Sequence, residues 1–219
     1  MTLGVIFDMD GVLVDSAPAH LESWRRLAAR HGVEVSAERF RETFGRPSRD
    51  IIRLLWGADR AEEQVARLDA EKEQIYRDLI HAAVPLMPGC RATLRTLHEA
   101  GLRLAVATSG PPENVAVVLS EGLIAVYFAA RVNGLEVSRG KPAPDCFQLA
   151  AERLGLPTER CVVVEDAPVG IEAGVAAGMR VIGLVGTHPA ETLRDAGATA
   201  VVSELSQITP DLVRALIAR

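Results

Sequence analysis

The sequence predicts an α/β fold, a Rossmann-like doubly wound parallel sheet with an inserted small α-helical cap domain. Short apolar runs alternate with longer helical patterns, and most of these runs lack a polar face. Such runs are typical of parallel strands that helices cover on both sides. The segment from residue 16 to residue 83 has helical patterns and almost no such run. We therefore predict a core of residues 1–15 and 84–219 and a helical cap of residues 16–83.

Four strands and three helices are predicted for the core. The strands are Leu3–Phe7, Leu102–Ala107, Val162–Val164 and Arg180–Val185, and the helices are Gly89–Ala100, Pro144–Leu154 and Val169–Ala177. A glycine follows each helix, and glycine is the residue that most readily takes the left-handed conformation at a helix end. Alternation of strands with helices over short connections indicates a doubly wound sheet.

Four helices are predicted for the cap. They are Pro18–Arg30, Ser36–Phe44, Asp50–Trp56 and Ala61–Ile80. In the first of them, Leu21, Trp24, Leu27 and Ala28 recur at helical spacing and form an apolar stripe. A block of helices directly after the first strand indicates a separate helical module.

Composition and charge limit the kinds of partner. The chain has 219 residues, of which 48% are hydrophobic and 24% charged, as in a soluble globular protein. Its net charge of −5 gives no electrostatic reason to bind nucleic acid or an anionic membrane. No apolar stretch approaches the roughly 18 residues of a spanning helix, and acidic residues come too early for a signal peptide. We therefore expect a cytoplasmic protein without nucleic-acid or membrane partners, and nothing requires more than a monomer.

Acidic residues follow two of the predicted strands. Asp8 and Asp10 follow the first strand in the motif FDMDG, and Glu165 and Asp166 follow the third in VVVEDAPVG. Ligands of doubly wound sheets bind beyond the carboxyl ends of the strands, so we expect these four carboxylates to meet at one edge. Each motif alone also fits an acidic surface turn or charges that favour a helix N-terminus. Four carboxylates together would be costly without a cation, and magnesium prefers oxygen ligands.

Residues suited to an anion are predicted at the same edge. Thr108 and Ser109 end the second strand and can donate hydrogen bonds to phosphate oxygens. Lys141 lies in the motif RGKPAPD. Taken alone, Ser109-Gly110 is common turn chemistry, and a solvated surface lysine is the usual explanation of a residue such as Lys141. We favour a functional lysine, because the acidic cluster needs a cation to offset it.

These motifs together resemble the haloacid dehalogenase superfamily of phosphotransferases, in its subgroup of β-phosphoglucomutase and related phosphatases. DxDG at 8–11, Thr108, Lys141 and the Glu165–Asp166 pair occur in that family's order, and the resemblance covers essentially the whole chain. The dehalogenases of the superfamily lack an aspartate at the position of Asp10. The resemblance therefore points to phosphoryl transfer.

The resemblance implies a magnesium-dependent mechanism. Asp8 would attack phosphorus and become an aspartyl phosphate, and Asp10 would act as general acid and then as general base. Mg²⁺ would bind the Asp8 carboxylate, the Asp10 backbone carbonyl and Asp166, with Glu165 nearby or also ligating.

The resemblance also implies substrate-binding positions in the cap. The matching residues are His20, Trp24, Arg49 and Lys72. Arg49 has the strongest claim, because a guanidinium group can bind phosphate through two hydrogen bonds. Trp24 also fits a residue of the cap core, His20 a hydrogen-bonded surface residue, and Lys72 a partner of acids in its own helix.

Hydrolysis is favoured over mutase chemistry. Thr108 and Lys141 would hold the transferring phosphoryl oxygens, with Ser109 beside them. In β-phosphoglucomutase the loop that follows offers Ser, Lys and Asn to a second phosphate, whereas here it reads Gly110-Pro111-Pro112 and lacks those donors. We therefore predict a phosphatase for a small phosphate ester, a sugar or polyol phosphate. The alternatives are a hexose phosphomutase and a non-enzymatic binding protein, and the intact set of motif residues argues against the latter.

Overall fold

The protein is described by a computed structural model that covers residues 2–36, 38, 43 and 47–218. Within these residues, six strands form one sheet, and every neighbouring pair is parallel. The strands are β1 (Gly4–Phe7), β2 (Arg103–Ala107), β3 (Phe128–Val132), β4 (Cys161–Glu165), β5 (Arg180–Leu184) and β6 (Ala200–Val202). Their order is β3-β2-β1-β4-β5-β6, so the direction of winding reverses between β1 and β4. The predicted doubly wound α/β fold is confirmed.

Nine α-helices lie within the described residues. They are α1 (Ala17–Arg30), α2 (Ser48–Trp56), α3 (Glu62–Ile80), α4 (Cys90–Glu99), α5 (Pro112–Glu121), α6 (Asp145–Leu154), α7 (Pro168–Ala176), α8 (Ala190–Asp195) and α9 (Pro210–Ile217). The glycines predicted to end α4, α6 and α7 all have positive φ, between 65° and 79°. In the described part of the chain, no helix combines the length and the apolar character that crossing a membrane requires.

The central strands are buried on both faces. Val5 and Phe7 of β1 belong to one apolar cluster, whereas Ile6 between them belongs to a second cluster on the other face. β4 divides in the same way, with Val162 and Val163 in different clusters. Successive side chains of a strand point to opposite faces. The uninterrupted apolar runs of the sequence therefore reflect two cores, one on each side of the sheet.

Helices α1, α2 and α3 pack around an apolar cluster of their own. Its buried members include Trp24 and Leu27 of α1, Ile52 of α2, and Leu68 and Ile75 of α3. The stripe predicted on the first helix is the face that enters this cluster. Trp24 is 1% exposed, which bears out its interpretation as a core residue of these helices.

Several elements were missed in the sequence. β3 alternates buried and exposed residues and carries an exposed arginine, Arg131, because it lies at the edge of the sheet and only one face is covered. β6 at the other edge has three residues, too few for a recognisable pattern. The helices α5, α8 and α9 were also not predicted. Most of the predicted helix Ser36–Phe44 lies outside the described residues.

Candidate active site

The acidic residues lie where the winding of the sheet reverses. Phe7 of β1 is in register with Val164 of β4, and the Asp8 backbone amide donates to the Val164 carbonyl oxygen at 3.0 Å. Asp8 and Glu165 therefore leave adjacent parallel strands at the same level. In sheets of this topology, the crevice between two such strands is the usual position of a ligand.

A buried lysine joins the ends of these two strands. Lys141 lies in the connection between β3 and α6, and its Nζ is 2.6 Å from Asp8 Oδ1 and 2.6 Å from Glu165 Oε1. All three side chains are buried. Burial alone would favour the neutral amine, but the two carboxylates hold the pKa of Lys141 well above its usual range. The structure thus places Lys141 as a cation between two of the carboxylates that it was expected to offset.

Both carboxylate oxygens of Glu165 already accept hydrogen bonds. Oε1 accepts from Lys141, and Oε2 accepts from the backbone amides of Asp166 and Ala167 at 2.7 and 2.8 Å. These amides lie directly ahead of α7, where backbone N–H groups lack helical partners. A Cβ at position 170 would lie 1.6 Å from Glu165 Oε1, so only Gly170 fits beside this carboxylate. These contacts orient Lys141, and they leave less of the carboxylate free for a metal.

Asp166 is held by a hydroxyl group that follows the next strand. Thr187, beyond β5, donates Oγ1 to Asp166 Oδ2 at 2.6 Å. Gly11 has a φ of +80°, and a Cβ there would lie 2.1 Å from Asp166 Oδ2. The turn after Asp10 therefore needs glycine for its backbone conformation and for the close approach of the Asp166 carboxylate.

Asp8, Glu165 and Asp166 form a group that fits a metal ion. One oxygen of each lies within 4.8 Å of the others, and all three residues are buried. Ionisation of all three carboxylates beside the single ammonium of Lys141 would leave the group with excess negative charge. Burial raises the pKa of Asp8 to about 7, although Lys141 opposes this rise, and burial also raises the pKa of Asp166 well above its usual value. A divalent cation would offset this charge, and oxygen ligands suit magnesium.

Asp10 is hydrogen bonded to residues of α1 and α3. His20 Nε2 lies 3.1 Å from Asp10 Oδ1, and the Tyr76 hydroxyl donates to the same oxygen at 3.3 Å. The rings of His20 and Tyr76 are stacked, with centroids 3.9 Å apart. Burial alone would raise the pKa of Asp10, but the interaction with His20, including their hydrogen bond, outweighs burial and lowers the pKa to about 2. Asp10 therefore lies in this structure as a carboxylate between the sheet edge and the helices.

The hydrogen bonds continue from His20 along α3. Lys72 Nζ lies 2.8 Å from His20 Nδ1 and 2.8 Å from Glu73 Oε1. An ammonium group can only donate, so Nδ1 accepts from Lys72 and Nε2 carries the proton that faces Asp10. The tautomer of His20 thus follows from its two neighbours.

Glu73 connects α3 with α2 and with the helix α5 of the sheet core. Ser48 donates to Glu73 Oε1 at 2.6 Å, and Asn114 of α5 donates Nδ2 to Glu73 Oε2 at 2.6 Å. Arg77, one turn further along α3, donates to Asn114 Oδ1 at 3.1 Å. The side-chain amide of Asn114 is therefore held at both ends by α3.

One cavity brings most of the predicted site residues together. Its sheet side is lined by Asp8, Asp10, Thr108, Ser109, Gly110, Lys141, Glu165, Asp166 and Ala167. Its helix side is lined by His20, Trp24, Ser48, Ile51, Lys72, Glu73 and Asn114. Lys72 and Lys141 are the only lysines of the sequence, and both line this cavity. Both lysine side chains of the protein thus lie in one site.

Arg49 lines a neighbouring cavity, which shares Thr108, Ser109 and Lys141 with this one. It donates to Glu62 at 2.9 Å and to Asp69 at 3.2 Å. The guanidinium group that was expected to bind phosphate is paired here with two carboxylates of α3. Lys72 fits both interpretations given in the sequence analysis. It pairs with Glu73, an acid of its own helix, and it also lines the cavity, as a substrate-binding residue would.

The contacting residues of the site that were not predicted include Glu73, Tyr76, Asn114 and Thr187. Thr187 could have been predicted, because it lies three residues beyond the carboxyl end of β5, at the edge where the other site residues were expected. Glu73 and Tyr76 lie one and four residues after Lys72, but the charged sequence of α3 does not indicate which face meets the core. Asn114 lies in the first turn of α5, a helix that the sequence did not reveal.

Comparisons with known proteins point to one family. The family model described as haloacid dehalogenase-like hydrolase matches residues 2–178. Hexitol phosphatase A of Escherichia coli is 36% identical, over 94% of this chain and 93% of that protein. Phosphorylated carbohydrates phosphatase of Thermotoga maritima is 35% identical, over 90% of this chain and 93% of that protein. Beta-phosphoglucomutase of Bacillus subtilis is 31% identical, over 95% of this chain and 92% of that protein.

The fold also has counterparts among solved structures. The crystal structure of a HAD hydrolase, family IA, variant 3, from Entamoeba histolytica superposes with a TM-score of 0.90. Its sequence is 26% identical, and the match covers 100% of both chains. The similarity therefore spans the sheet as well as the helices α1–α3.

Proposed function

Since the chain belongs to the haloacid dehalogenase-like hydrolase family and is a phosphatase, we propose that it hydrolyses a sugar or polyol phosphate, with Mg²⁺ and through phosphorylation of Asp8. The observation that carries this proposal is the buried contact of Asp8 with Lys141 at the sheet edge, beside the carboxylate of Asp166. A carboxylate held at a fixed position by a cation is suited to attack phosphorus. We also propose that the protein acts as a cytoplasmic monomer that binds neither nucleic acid nor membranes.

In the first step, a carboxylate oxygen of Asp8 forms a bond to phosphorus, and the bond from phosphorus to the ester oxygen breaks. Asp10 gives the leaving oxygen its proton. An arriving phosphate ester brings negative charge next to Asp10, which raises the pKa of Asp10 above its value in the empty protein and lets it carry that proton. Lys141 balances negative charge on Asp8 and on the phosphoryl oxygens.

In the second step, water attacks phosphorus and releases inorganic phosphate from Asp8. Asp10, now a carboxylate, accepts the proton of this water. His20 and Tyr76 hold the Asp10 oxygen in place between the steps. Thr108 and Ser109 line the same cavity and would donate to the phosphoryl oxygens.

The metal site is proposed from the same residues. Asp8, Asp166 and the Asp10 backbone carbonyl would hold Mg²⁺, and Glu165 would orient Lys141 with the oxygens that it already shares. When bound, the ion would neutralise the oxygens of the transferring phosphoryl group.

We propose that residues 16–83 act as a cap over this site. The cavity lies between the sheet edge and α1–α3, and these helices reach the core through Asp10 and Asn114. Docking of the cap would exclude bulk water while Asp8 is attacking. On the cap side, Ser48 and Glu73 present polar atoms to the leaving group, as recognition of a hydroxylated metabolite requires.

Mutase chemistry is less well supported by the residues of this chain. A mutase must hold a second phosphate, yet Pro111 and Pro112 form the start of α5 and provide no side-chain donors. Arg49 is occupied by Glu62 and Asp69. Hydrolysis needs neither group.

The experiment that tests the proposed function is release of inorganic phosphate from a panel of sugar, polyol, nucleotide and glycolytic phosphates. It is run with Mg²⁺, with EDTA, and with Asp8→Asn. We expect turnover of sugar or polyol phosphates, which EDTA and Asp8→Asn both abolish. Isomerisation of glucose 1-phosphate without release of inorganic phosphate would instead support the mutase.

A further inference from the structure

A buried carboxylate, Glu73, lines the active site on the cap side, and neither of the two chemical steps proposed above uses it. Glu73 is 5% exposed and lines the cavity with Ser48, Lys72 and Asn114. Its position on α3 puts it on the wall that a leaving group would meet, opposite the residues that hold the phosphoryl group. Buried acids are uncommon unless they are paired and hydrogen bonded, so a carboxylate at this position requires specific partners.

Three donors fix the orientation of this carboxylate. Oε1 accepts from Ser48 at 2.6 Å and from Lys72 at 2.8 Å, and Oε2 accepts from Asn114 at 2.6 Å. A carboxylate has roughly four acceptor positions, so Oε2 keeps capacity for one more donor. Asn114 is itself held by Arg77, which prevents the amide from turning away.

Glu73 is charged, and it cancels the charge of the nearest cation. Burial opposes its ionisation, but Lys72 and His20 outweigh burial and lower the pKa of Glu73 to about 2. Lys72 and Lys141 are the lysines that line the cavity, and each is hydrogen bonded to a carboxylate. Among the described residues of this wall, therefore, no ammonium group is left over to bind a second phosphate.

We propose that Glu73 determines substrate specificity, because it accepts a hydrogen bond from a hydroxyl of an uncharged leaving group and repels a leaving group that carries a second phosphate. This inference rests on the proposed function, since it assigns the leaving-group side of the same site. The free acceptor position on Oε2 can bind the hydrogen of a hydroxyl group. A phosphate dianion has no hydrogen to donate, and its negative charge is repelled by the Glu73 carboxylate. Like-charge contacts in a partly buried site are strongly unfavourable, so one carboxylate is enough to discriminate.

The test compares two substrates in the full-length protein with Mg²⁺. The kcat/KM for a hexitol monophosphate is divided by that for a hexose bisphosphate, in the wild type and in Glu73→Gln. We expect the ratio to fall about tenfold or more in Glu73→Gln, because the substitution removes the charge and keeps the size of the side chain. A purely structural role would lower both values alike and leave the ratio unchanged, and that result would overturn the proposal.

A matched control is available on the same helix. Glu71→Gln makes the same chemical change two residues away, where Glu71 pairs with Arg30 and His31 on the outer surface of the helices. We expect it to leave both kcat/KM values within about twofold of wild type. A shift of the ratio in Glu71→Gln as large as in Glu73→Gln would show a general effect of charge and contradict a local one.

A second variant keeps the proposal testable if Glu73→Gln does not fold. Glu73→Asp retains the charge with a shorter reach, so it should still reject the bisphosphate while the kcat/KM for the monophosphate falls. Acceptance of the bisphosphate by Glu73→Asp would count against charge as the cause. Phosphate release by the wild type from the sugar and polyol phosphates separates the proposed function from the role of Glu73. If the wild type hydrolyses none of them, the proposed function fails, and if it does hydrolyse them while the ratio stays unshifted in Glu73→Gln, only the role of Glu73 fails.

Discussion

Lys141 Nζ lies 2.6 Å from Asp8 Oδ1, so the proposed nucleophile and the cation that stabilises it share one buried hydrogen bond. The same ammonium contacts Glu165 at 2.6 Å, and Glu165 in turn accepts from two backbone amides before α7. Asp8, the proposed nucleophile, is therefore linked through Lys141 and Glu165 to the backbone amides between β4 and α7. We therefore expect stability and catalysis to depend on the same contacts of Lys141.

Removal of the Lys141 charge is expected to reduce both the stability of the protein and its catalytic activity. Lys141→Met leaves Asp8 and Glu165 buried without their cation, and loss of one partner of a buried pair costs about 3–5 kcal/mol. We expect a loss of that size in the free energy of unfolding, measured with urea in EDTA, and at least a hundredfold loss of kcat/KM with Mg²⁺. A variant that keeps wild-type stability would contradict a structural role for this ion pair.

The metal-free protein is expected to lose stability as the pH rises. Burial raises the pKa of Asp8 from 3.8 to about 7, so the folded state favours the protonated acid. This contribution is complete below the unfolded pKa and is lost as the pH rises through the folded pKa. The unfolding temperature in EDTA should therefore fall between about pH 4 and pH 7, and fall less in Asp8→Asn.

The control for this pH profile is Asp211→Asn, because the side chain of Asp211 is 92% exposed. It should reproduce the wild-type profile. An equal fall in wild type and Asp8→Asn would mean that other groups carry the pH dependence.

Thr187 is expected to tune metal affinity through Asp166. Its hydroxyl donates to Asp166 Oδ2 at 2.6 Å, and loss of such a partner of a metal ligand typically costs tenfold to a hundredfold in affinity. We expect Thr187→Val to weaken Mg²⁺ binding by about that factor, measured by calorimetry without substrate. Thr187→Ser restores the hydroxyl and should restore the affinity. Unchanged affinity in Thr187→Val would argue against Asp166 as a ligand.

Asn114 is expected to hold the cap helices on the core. Asn114→Leu removes the donor to Glu73 and the acceptor for Arg77 while keeping a similar volume. We expect kcat/KM to fall roughly tenfold to a hundredfold for mono- and bisphosphates alike, because docking of the cap serves every substrate. The exposed Gln148 of α6 provides the control, and Gln148→Ala should behave as wild type. A change confined to one substrate class would show that Asn114 contacts the substrate instead.

The sequence was informative where one physical rule applied. Parallel strands buried on both faces leave uninterrupted apolar runs, and their carboxyl ends meet at one edge. That rule predicted that Asp8, Asp10, Glu165 and Asp166 meet at one edge without any knowledge of their contacts, and it would have located Thr187 had it been applied to β5. Lys141 was assigned to the same site for a different reason, because the acidic cluster needs a cation to offset it.

The remaining contacts depend on how separate elements dock. Glu73 meets Asn114 only because α3 lies against α5, which no local pattern of either helix specifies. Arg49 has the chemistry of a phosphate ligand, but in the folded protein it is hydrogen bonded to two carboxylates of α3, Glu62 and Asp69. Their proximity to Arg49 depends on how α2 packs against α3. Edge strands such as β3 lose the two-sided burial that makes the central strands recognisable.

The most direct test of phosphoryl transfer through Asp8 is an acid quench of the enzyme during turnover of a substrate with a radiolabelled phosphoryl group. The protein is then digested, and the label is located by mass spectrometry of the peptides. We predict label on the peptide that contains Asp8, dependent on Mg²⁺ and absent from Asp8→Asn. Rapid phosphate release by an enzyme that never carries label, or label on another residue, would contradict Asp8 as the nucleophile.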